Sequence, residues 1–596
     1  MDSPRVRPVS SRGTDLNVNC FGHLCAIAAL AAALAGCGDD TLETTIAYRL
    51  HGPPPTGLDG RCTEPSDPTP VLTEPDSIRL TYRYSNGGLL VCDAVLDASV
   101  PNQVVAVPVS TTSTFIDVFA ELYKGGALVG TGVSRRVDLN TPAEVRVFVT
   151  PVDEFACAPE RASRPRAFHA VAVLPDGSAL ITGGIGATDG TSFFVTGEVE
   201  LYANGDFRPV SVPGLSPRAL HSAIVLDDDG SGSVRIALVG GVTVAGDAAT
   251  TPAFDAPMDL LPFRLRAAAG AVGAPTEILT FDPDTGTATV AAVGLGDVTP
   301  RLFAAVMRER GQTATMLAGG WIDAARTTPE QTAQTIDPTT GGLGVEAAML
   351  APRYGATLTE LSPARAMIWG GHIDADDLTR GDVVGEVVQL GAVPVSEALA
   401  FPDPTMPPAS RAFHAAARSH DDELIVAGGF AVTLGNASAP VTPYVERIRY
   451  ASITSYTAPL VDGNPPVPAG YPDALRLTGG DVLVTGGNAD LPGCAGLPPL
   501  QCSTGQAYRY RVSDEQLAEQ APMVLPRYGH RGAQLATGDV LITGGLHATA
   551  DELTPVADAE LFNPAAQDYD PIADLGLGRA PGETVQPCTV LIAPAQ

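Results

Sequence analysis

The chain has 596 residues, too many for one ordinary domain unless repeats extend it. Acidic residues outnumber basic ones by 67 to 36, the formal net charge is −31, and Lys124 is the single lysine. That balance excludes the basic footprint that nucleic-acid phosphates require, while 45% hydrophobic residues permit a large core.

The first 36 residues read as an address. Arg5, Arg7 and Arg12 give a positive start, and residues 25–35 form an apolar stretch too short to span a bilayer. The stretch ends in Leu34-Ala35-Gly36-Cys37, which resembles a bacterial lipoprotein lipobox. The resemblance implies removal of residues 1–36, a lipid on Cys37, and export to the cell envelope. Gly38 rather than Asp follows Cys37, which favours the outer membrane or cell surface over the inner membrane. An ordinary secretion signal cut elsewhere is the alternative. Residues 37–75, rich in Pro, Gly, Asp and Thr, read as a tether.

Short β-rich runs follow over residues 44–152, at 44–50, 77–84, 89–96, 104–109, 114–123, 127–134 and 144–150. The alternation Ile78, Leu80, Tyr82 and Phe115, Asp117, Phe119 suits half-buried strands. Seven such runs predict a small β-sandwich of immunoglobulin-like type, a spacer or a binding module.

A repeat then takes over. Glycine doublets stand at Gly183-Gly184, Gly240-Gly241, Gly319-Gly320, Gly370-Gly371, Gly428-Gly429, Gly486-Gly487 and Gly544-Gly545. Their spacings are 57, 79, 51, 58, 58 and 58 residues, and a short β-rich run precedes each. Upstream comes an arginine, four times as Arg-x-x-His: Arg166/His169, Arg218/His221, Arg411/His414 and Arg527/His530. Arg301 and Arg353 keep the arginine alone, and the sixth repeat has neither. Downstream, segments such as Glu200-Leu201-Tyr202 and Phe562-Asn563-Pro564 read as a third strand running into a turn.

These units resemble kelch repeats. The resemblance covers residues 160–596 and implies an all-β, seven-bladed β-propeller of four-stranded antiparallel blades. The Trp that usually opens the fourth strand is absent, with Phe207 or Tyr569 in its place. One blade cannot bury both faces alone, so radial stacking is what makes the unit stable. Glycine suits a strand end where another backbone approaches. In such blades the a–b turns lie on one face and the b–c loops on the other. The b–c loops here are the longer ones, 185–197, 242–275, 321–333, 372–384, 430–443, 488–504 and 546–557, and form the expected binding face for a protein or glycan.

The remaining candidates favour structure over chemistry. The four repeated histidines sit too far apart around a propeller to share one ion, and their arginines suggest hydrogen bonding within the blades. The run Asp227-Asp228-Asp229-Gly230 resembles a calcium loop loosely, but it falls where other units place a plain turn. Galactose-oxidase-like copper chemistry needs Tyr, His and a thioether-linked Cys together, and no such set is recognised; nor is a sialidase Asp-box or a hydrolase motif. No cofactor or metal is therefore expected.

Export favours disulfides. Six cysteines follow Cys37 and allow 15 pairings. Proximity along the chain favours Cys62–Cys92 and Cys494–Cys502, and a closed ring favours a Cys157–Cys588 staple between its first and last blades. The expectation is a lipid-anchored binding or scaffold module and not an enzyme. The alternative is an envelope carbohydrate-active enzyme or lectin on a galactose-oxidase-like propeller.

Overall fold

The computed structural model describes residues 43–596 except 58–59, 64–74, 86–89, 101–102, 109–114, 141–143, 188–191, 227–231, 254–269, 284, 293–300, 308–314, 322–328, 338–342, 363–364, 372–384, 390–394, 400–410, 432–444, 453–454, 458–469, 489–501, 536, 550–552, 565–586 and 593–596. Cys37, Cys494, Tyr569 and the run Asp227–Asp229 thus lie outside the described residues. Among those described there is no helix; the protein is all-β.

The amino-terminal part packs two sheets over one core. A six-stranded sheet has the order Tyr48–His51, Val145–Pro151, Ala127–Asp138, Phe115–Lys124, Ser77–Tyr84, Leu90–Asp97. A three-stranded sheet joins Glu43–Ile46, Gln103–Pro108 and Thr589–Ile592. Leu80, Tyr82 and Val147 from the first sheet bury against Ile46, Val105 and Val107 from the second. The run expected at 44–50 divides at Ala47, and its halves enter different sheets. The chain's last described strand, Thr589–Ile592, also belongs here, although the repeat reading assigned it to the ring.

The rest of the chain forms seven four-stranded antiparallel sheets among the described residues. The first runs Ala170–Val173, Ala179–Thr182, Val199–Ala203, Asp206–Val210, each strand paired with the next. Five more repeat this plan in sequence order. The seventh takes three strands from the carboxy-terminal side, Arg531–Gln534, Val540–Thr543 and Glu560–Phe562, and its fourth from Phe155–Cys157, ahead of the first sheet. Backbone pairing between Glu560–Phe562 and Phe155–Cys157 therefore closes the ring.

That closure corrects the expected disulfides. Cys157 bonds Cys62, and Cys588 bonds Cys92. The Cys62–Cys92 pair and the Cys157–Cys588 staple do not form. The reason is topological: Cys157 lies within the closing strand, while Cys588 has left the ring for the sandwich, where its amide donates to the Asp93 carbonyl at 2.7 Å. Cys502 is also disulfide-bonded, and its expected partner Cys494 lies outside the described residues.

One residue per sheet lines the axis in the left-handed conformation: Phe168, Leu220, Phe303, Gly355, Phe413, Tyr471 and Gly529, with φ between 53° and 64°. Their amides and carbonyls bond sheet to sheet. Leu220 donates to Phe168, Phe168 to Gly529, Gly529 to Tyr471, Tyr471 to Phe413, Phe413 to Gly355 and Gly355 to Phe303, all at 2.8–3.3 Å. The aromatic side chains fill the axis, with Phe168 and Phe413 each 5.2 Å from the Tyr471 ring. Gly355 and Gly529 make room: a Cβ there would sit 2.6 Å from Phe413 or 2.7 Å from Phe168. Trp321, Tyr354 and Tyr528 complete a buried apolar plug.

The doublets have a separate steric reason. Every doublet residue has positive φ, from 55° to 119°. A Cβ on Gly183, Gly319, Gly370 or Gly544 would meet an arginine carbonyl of the neighbouring sheet at 2.2–2.3 Å. Gly544→Ala should therefore lower stability by about 2–4 kcal/mol, combining left-handed strain with overpacking. Gly479→Ala, at a turn with open space around its Cβ, should cost only about 1–2 kcal/mol. Urea midpoints of the two variants check this, and equal losses would contradict it.

Candidate functional site

The repeated polar residues are the first candidates, and the structure places them in the seams between sheets. Each arginine is buried beside its own doublet. Nη1 of Arg166, Arg353, Arg411 and Arg527 donates to the first-glycine carbonyls of Gly183, Gly370, Gly428 and Gly544 at 2.6–3.0 Å. The arginine's own carbonyl accepts from the second glycine of the preceding sheet, as in Gly184 to Arg218 and Gly545 to Arg166, both 2.8 Å. The backbone thus bonds one sheet and the side chain the next.

A glutamate completes the clasp in five of the sheets. Nη2 pairs with the third strand's carboxylate in Arg166–Glu200 at 2.6 Å, Arg353–Glu386 at 2.7 Å, Arg411–Glu446 at 2.8 Å and Arg527–Glu560 at 2.5 Å. Arg218 pairs with Glu277 in the same way. The carboxylates also accept backbone amides of the incoming link, such as Leu350 and Ala351 on Glu386 and Val524 and Leu525 on Glu560. Burial pulls the guanidinium pKa of Arg166, Arg218, Arg353 and Arg411 down, and the facing glutamates act against that shift. Buried charges satisfied on both sides are tolerated, whereas removing one partner leaves the other uncompensated.

The glutamate carries little signal in the sequence. A single acid in an apolar strand looks like an ordinary outward-facing residue, and only its recurrence at Glu200, Glu277, Glu386, Glu446 and Glu560 signals otherwise. The sixth sheet confirms the coupling by losing both members. Its sequence carries no arginine two residues before Tyr471, and Tyr508 occupies the glutamate register opposite Val484. In the third sheet Gln334 occupies that register, and Arg301 turns to the Thr332 hydroxyl at 2.7 Å.

The histidines bridge the same seams. Nε2 of His169, His221 and His530 lies 2.8–2.9 Å from the hydroxyl of Thr543, Thr182 and Thr485, the residue before the preceding sheet's doublet. In the fourth sheet Trp369 replaces that threonine, and His414 meets Thr357 instead at 2.8 Å. Burial, reinforced by the nearby arginines, holds His169, His414 and His530 well below the usual imidazole range, so they are neutral. None is available to a ligand.

Two faces remain. The b–c loops extend beyond the sheets as small ladders at Ile185–Ala187/Phe193–Val195, Val242–Val244/Ala271–Gly273 and Leu546–Ala548/Leu553–Pro555. The apolar plug closes the axis beneath them. The loop tips at 188–191, 254–269, 322–328, 372–384, 432–444, 489–501 and 550–552 lie outside the described residues. On the opposite, short-turn face a cleft of about 330 Å³ separates the fifth and sixth sheets, lined by His420, Asp421, Glu423, Arg449, Tyr510 and Glu515. Arg449 bridges Glu423 at 2.5 Å and Glu515, Arg447 reaches Glu515 at 2.6 Å, and Ser419 donates to Glu423 at 2.6 Å. Paired in this way, Glu515 of the sixth sheet is held against Arg447 and Arg449 of the fifth. Among the described residues no cluster of His, Cys, Asp and Glu could hold a metal ion.

One buried acid breaks the pattern. Asp481 in the sixth sheet bonds Arg509 at 2.7 Å and the Val512 amide at 2.8 Å. Asp539 is its equivalent in the seventh, where Leu561, opposite Leu541, occupies the register that Arg509 holds opposite Leu483. Among the described residues its Oδ1 has no hydrogen-bond partner, and burial pushes its carboxyl up to about 7.

The geometry defines an all-β, propeller-like protein whose repeated polar residues are internal. No protein-family model matches the chain, and no curated protein sequence does. A solved structure titled "Structure of YjhT" is similar over 69% of this chain and 97% of its own, at 10% identity and a TM-score of 0.37.

Two outcomes test these assignments. Arg353→Met should destabilise the protein by about 3–5 kcal/mol by stranding Glu386, and adding Glu386→Leu should restore a substantial part; urea midpoints showing additive losses would contradict the clasp. Asp539 holds its proton more tightly when folded. Its contribution is therefore full below about pH 4 and is lost as pH rises towards 7. Between pH 5 and pH 8 the melting temperature should fall less for Asp539→Asn than for the parent protein, and parallel profiles would refute the assignment.

Proposed function

We propose that the chain is an exported, lipid-anchored, seven-bladed propeller of kelch type that binds a protein or glycan at the cell envelope through its b–c loop face. One observation carries this reading. The residues that repeat from sheet to sheet are spent on seams and axis, so the loops are where the sheets differ and where specificity can reside. The seven sheets with glycine-doublet strand ends support the kelch assignment. The lipobox-like Leu34–Cys37 segment supports the anchor. The disulfides, Cys62–Cys157 and Cys92–Cys588 among them, suit an oxidising, exported environment, and no helix of the described residues is long and apolar enough to cross a membrane.

The plugged axis favours binding over catalysis, because catalytic groups need a concave site that excludes water. Site-specific photo-crosslinking in the intact envelope, paired with a glycan array, tests the proposal. A crosslinker at the exposed loop residue Thr549 should capture a ligand, whereas one at Glu515 on the short-turn face should not. Capture from Glu515 alone would contradict the proposal. Release of product from a bound glycan would favour the carbohydrate-active enzyme instead.

A further inference from the structure

The carboxy-terminal strand Thr589–Ile592 is an unusual edge. Among the described residues it is the outer strand of its three-stranded sheet, and all four of its residues are exposed. Val590, Leu591 and Ile592 are 36%, 44% and 71% exposed. Successive residues of a strand face opposite ways, so both faces present apolar side chains. Open edges in water are normally blunted with charge, proline or a bulge, and these four residues supply none of these. The strand is nevertheless pinned: Cys588 is bonded to Cys92, and its amide to Asp93.

Two placements indicate what meets this edge. First, the same sheet begins with Glu43–Ile46, and five residues separate Glu43 from Cys37. A chain that short reaches at most about 20 Å. Ile46 and Val590 both pair with Val105, from opposite sides, which sets their strands about 10 Å apart. A lipid on Cys37 would thus hold the bilayer within reach of Val590–Ile592. Second, the sandwich meets the ring through its other sheet. Asn563 donates to Thr131 at 2.7 Å and to the Thr150 carbonyl at 3.1 Å, and Arg135 donates its amide to Asn204 at 3.1 Å. Thr131, Thr150 and Arg135 all belong to the six-stranded sheet. Asn204 lies in the third-to-fourth-strand turn of the first sheet, on the short-turn face. The layers therefore run from ring to six-stranded sheet to three-stranded sheet.

We infer that Val590, Leu591 and Ile592 rest in the membrane interface beside the anchor and fix the protein with its b–c loop face pointing away from the bilayer. This rests on lipidation of Cys37, part of the function proposed above. The contact is apolar, which suits a zwitterionic headgroup region better than an anionic one given the chain's acidity. The alternative occupant of an open edge is a strand from another protein.

The test uses the full chain, expressed with its leader and reconstituted into phosphatidylcholine vesicles carrying a headgroup-level nitroxide quencher. An environment-sensitive fluorescent residue replaces Ile592 in one sample and Thr549 in another. The expected result is several-fold stronger quenching at 592 than at 549, with the difference lost in Val590→Thr/Leu591→Thr. Lipidated protein with equal quenching at both positions would overturn the inference while leaving the anchor intact. Mass spectrometry showing no lipid on Cys37 would overturn the anchor and the inference with it. A photo-crosslinker at Ile592 that captures a polypeptide would assign the edge to strand addition instead.

Discussion

The architecture depends on how a row of like sheets ends. A four-stranded sheet has two apolar faces and two open edges, and a row of seven becomes closed only if the last is joined to the first. Here the join is made by main-chain hydrogen bonds between Phe155–Cys157 and Glu560–Phe562, with Phe155 stacked on Phe562 at 4.6 Å. A strand lent from before the first sheet makes opening costly, because the last sheet is incomplete without it. The same route frees the chain's end to return to the sandwich, where Thr589–Ile592 adds an edge and Cys588 is bonded to Cys92. Ring and sandwich are therefore interlocked from both ends, and Cys62–Cys157 ties the sandwich side directly to the closing strand.

Within the ring, sheets are held by polar as well as apolar contacts. Hydrophobic clusters fill the spaces between neighbours through non-directional contacts. The clasps are directional. An arginine bonds the preceding sheet through its carbonyl and its own sheet through its guanidinium, and the glutamate it meets also accepts amides from the link. Directional bonds of this kind set register. Where the sixth sheet gives up arginine and glutamate together, no buried charge is left stranded.

Much of this was legible in the sequence because it rests on strict local demands. A glycine with positive φ close against a passing carbonyl leaves little room for a side chain, so the seven doublets stand out, three of their six steps being 58 residues. The strands at 77–84 and 127–134 announce themselves by composition and turns. What escaped was set by tertiary context. Glu200 and its counterparts resemble surface residues until the arginine facing them is seen. Closeness along the chain points to the wrong disulfides because the chain crosses between sandwich and ring at both ends. The left-handed ring at Phe168, Leu220, Phe303, Phe413 and Tyr471 could not be anticipated either, since bulky residues rarely adopt that conformation and carry no glycine to mark it.

Of all these elements the route of closure is the central claim, and it has a covalent signature. Non-reducing proteolysis with mass spectrometry of the linked peptides reads it directly. The account predicts peptides joining Cys62 to Cys157 and Cys92 to Cys588. A peptide joining Cys157 to Cys588 would place the carboxy-terminal strand in the ring and contradict it.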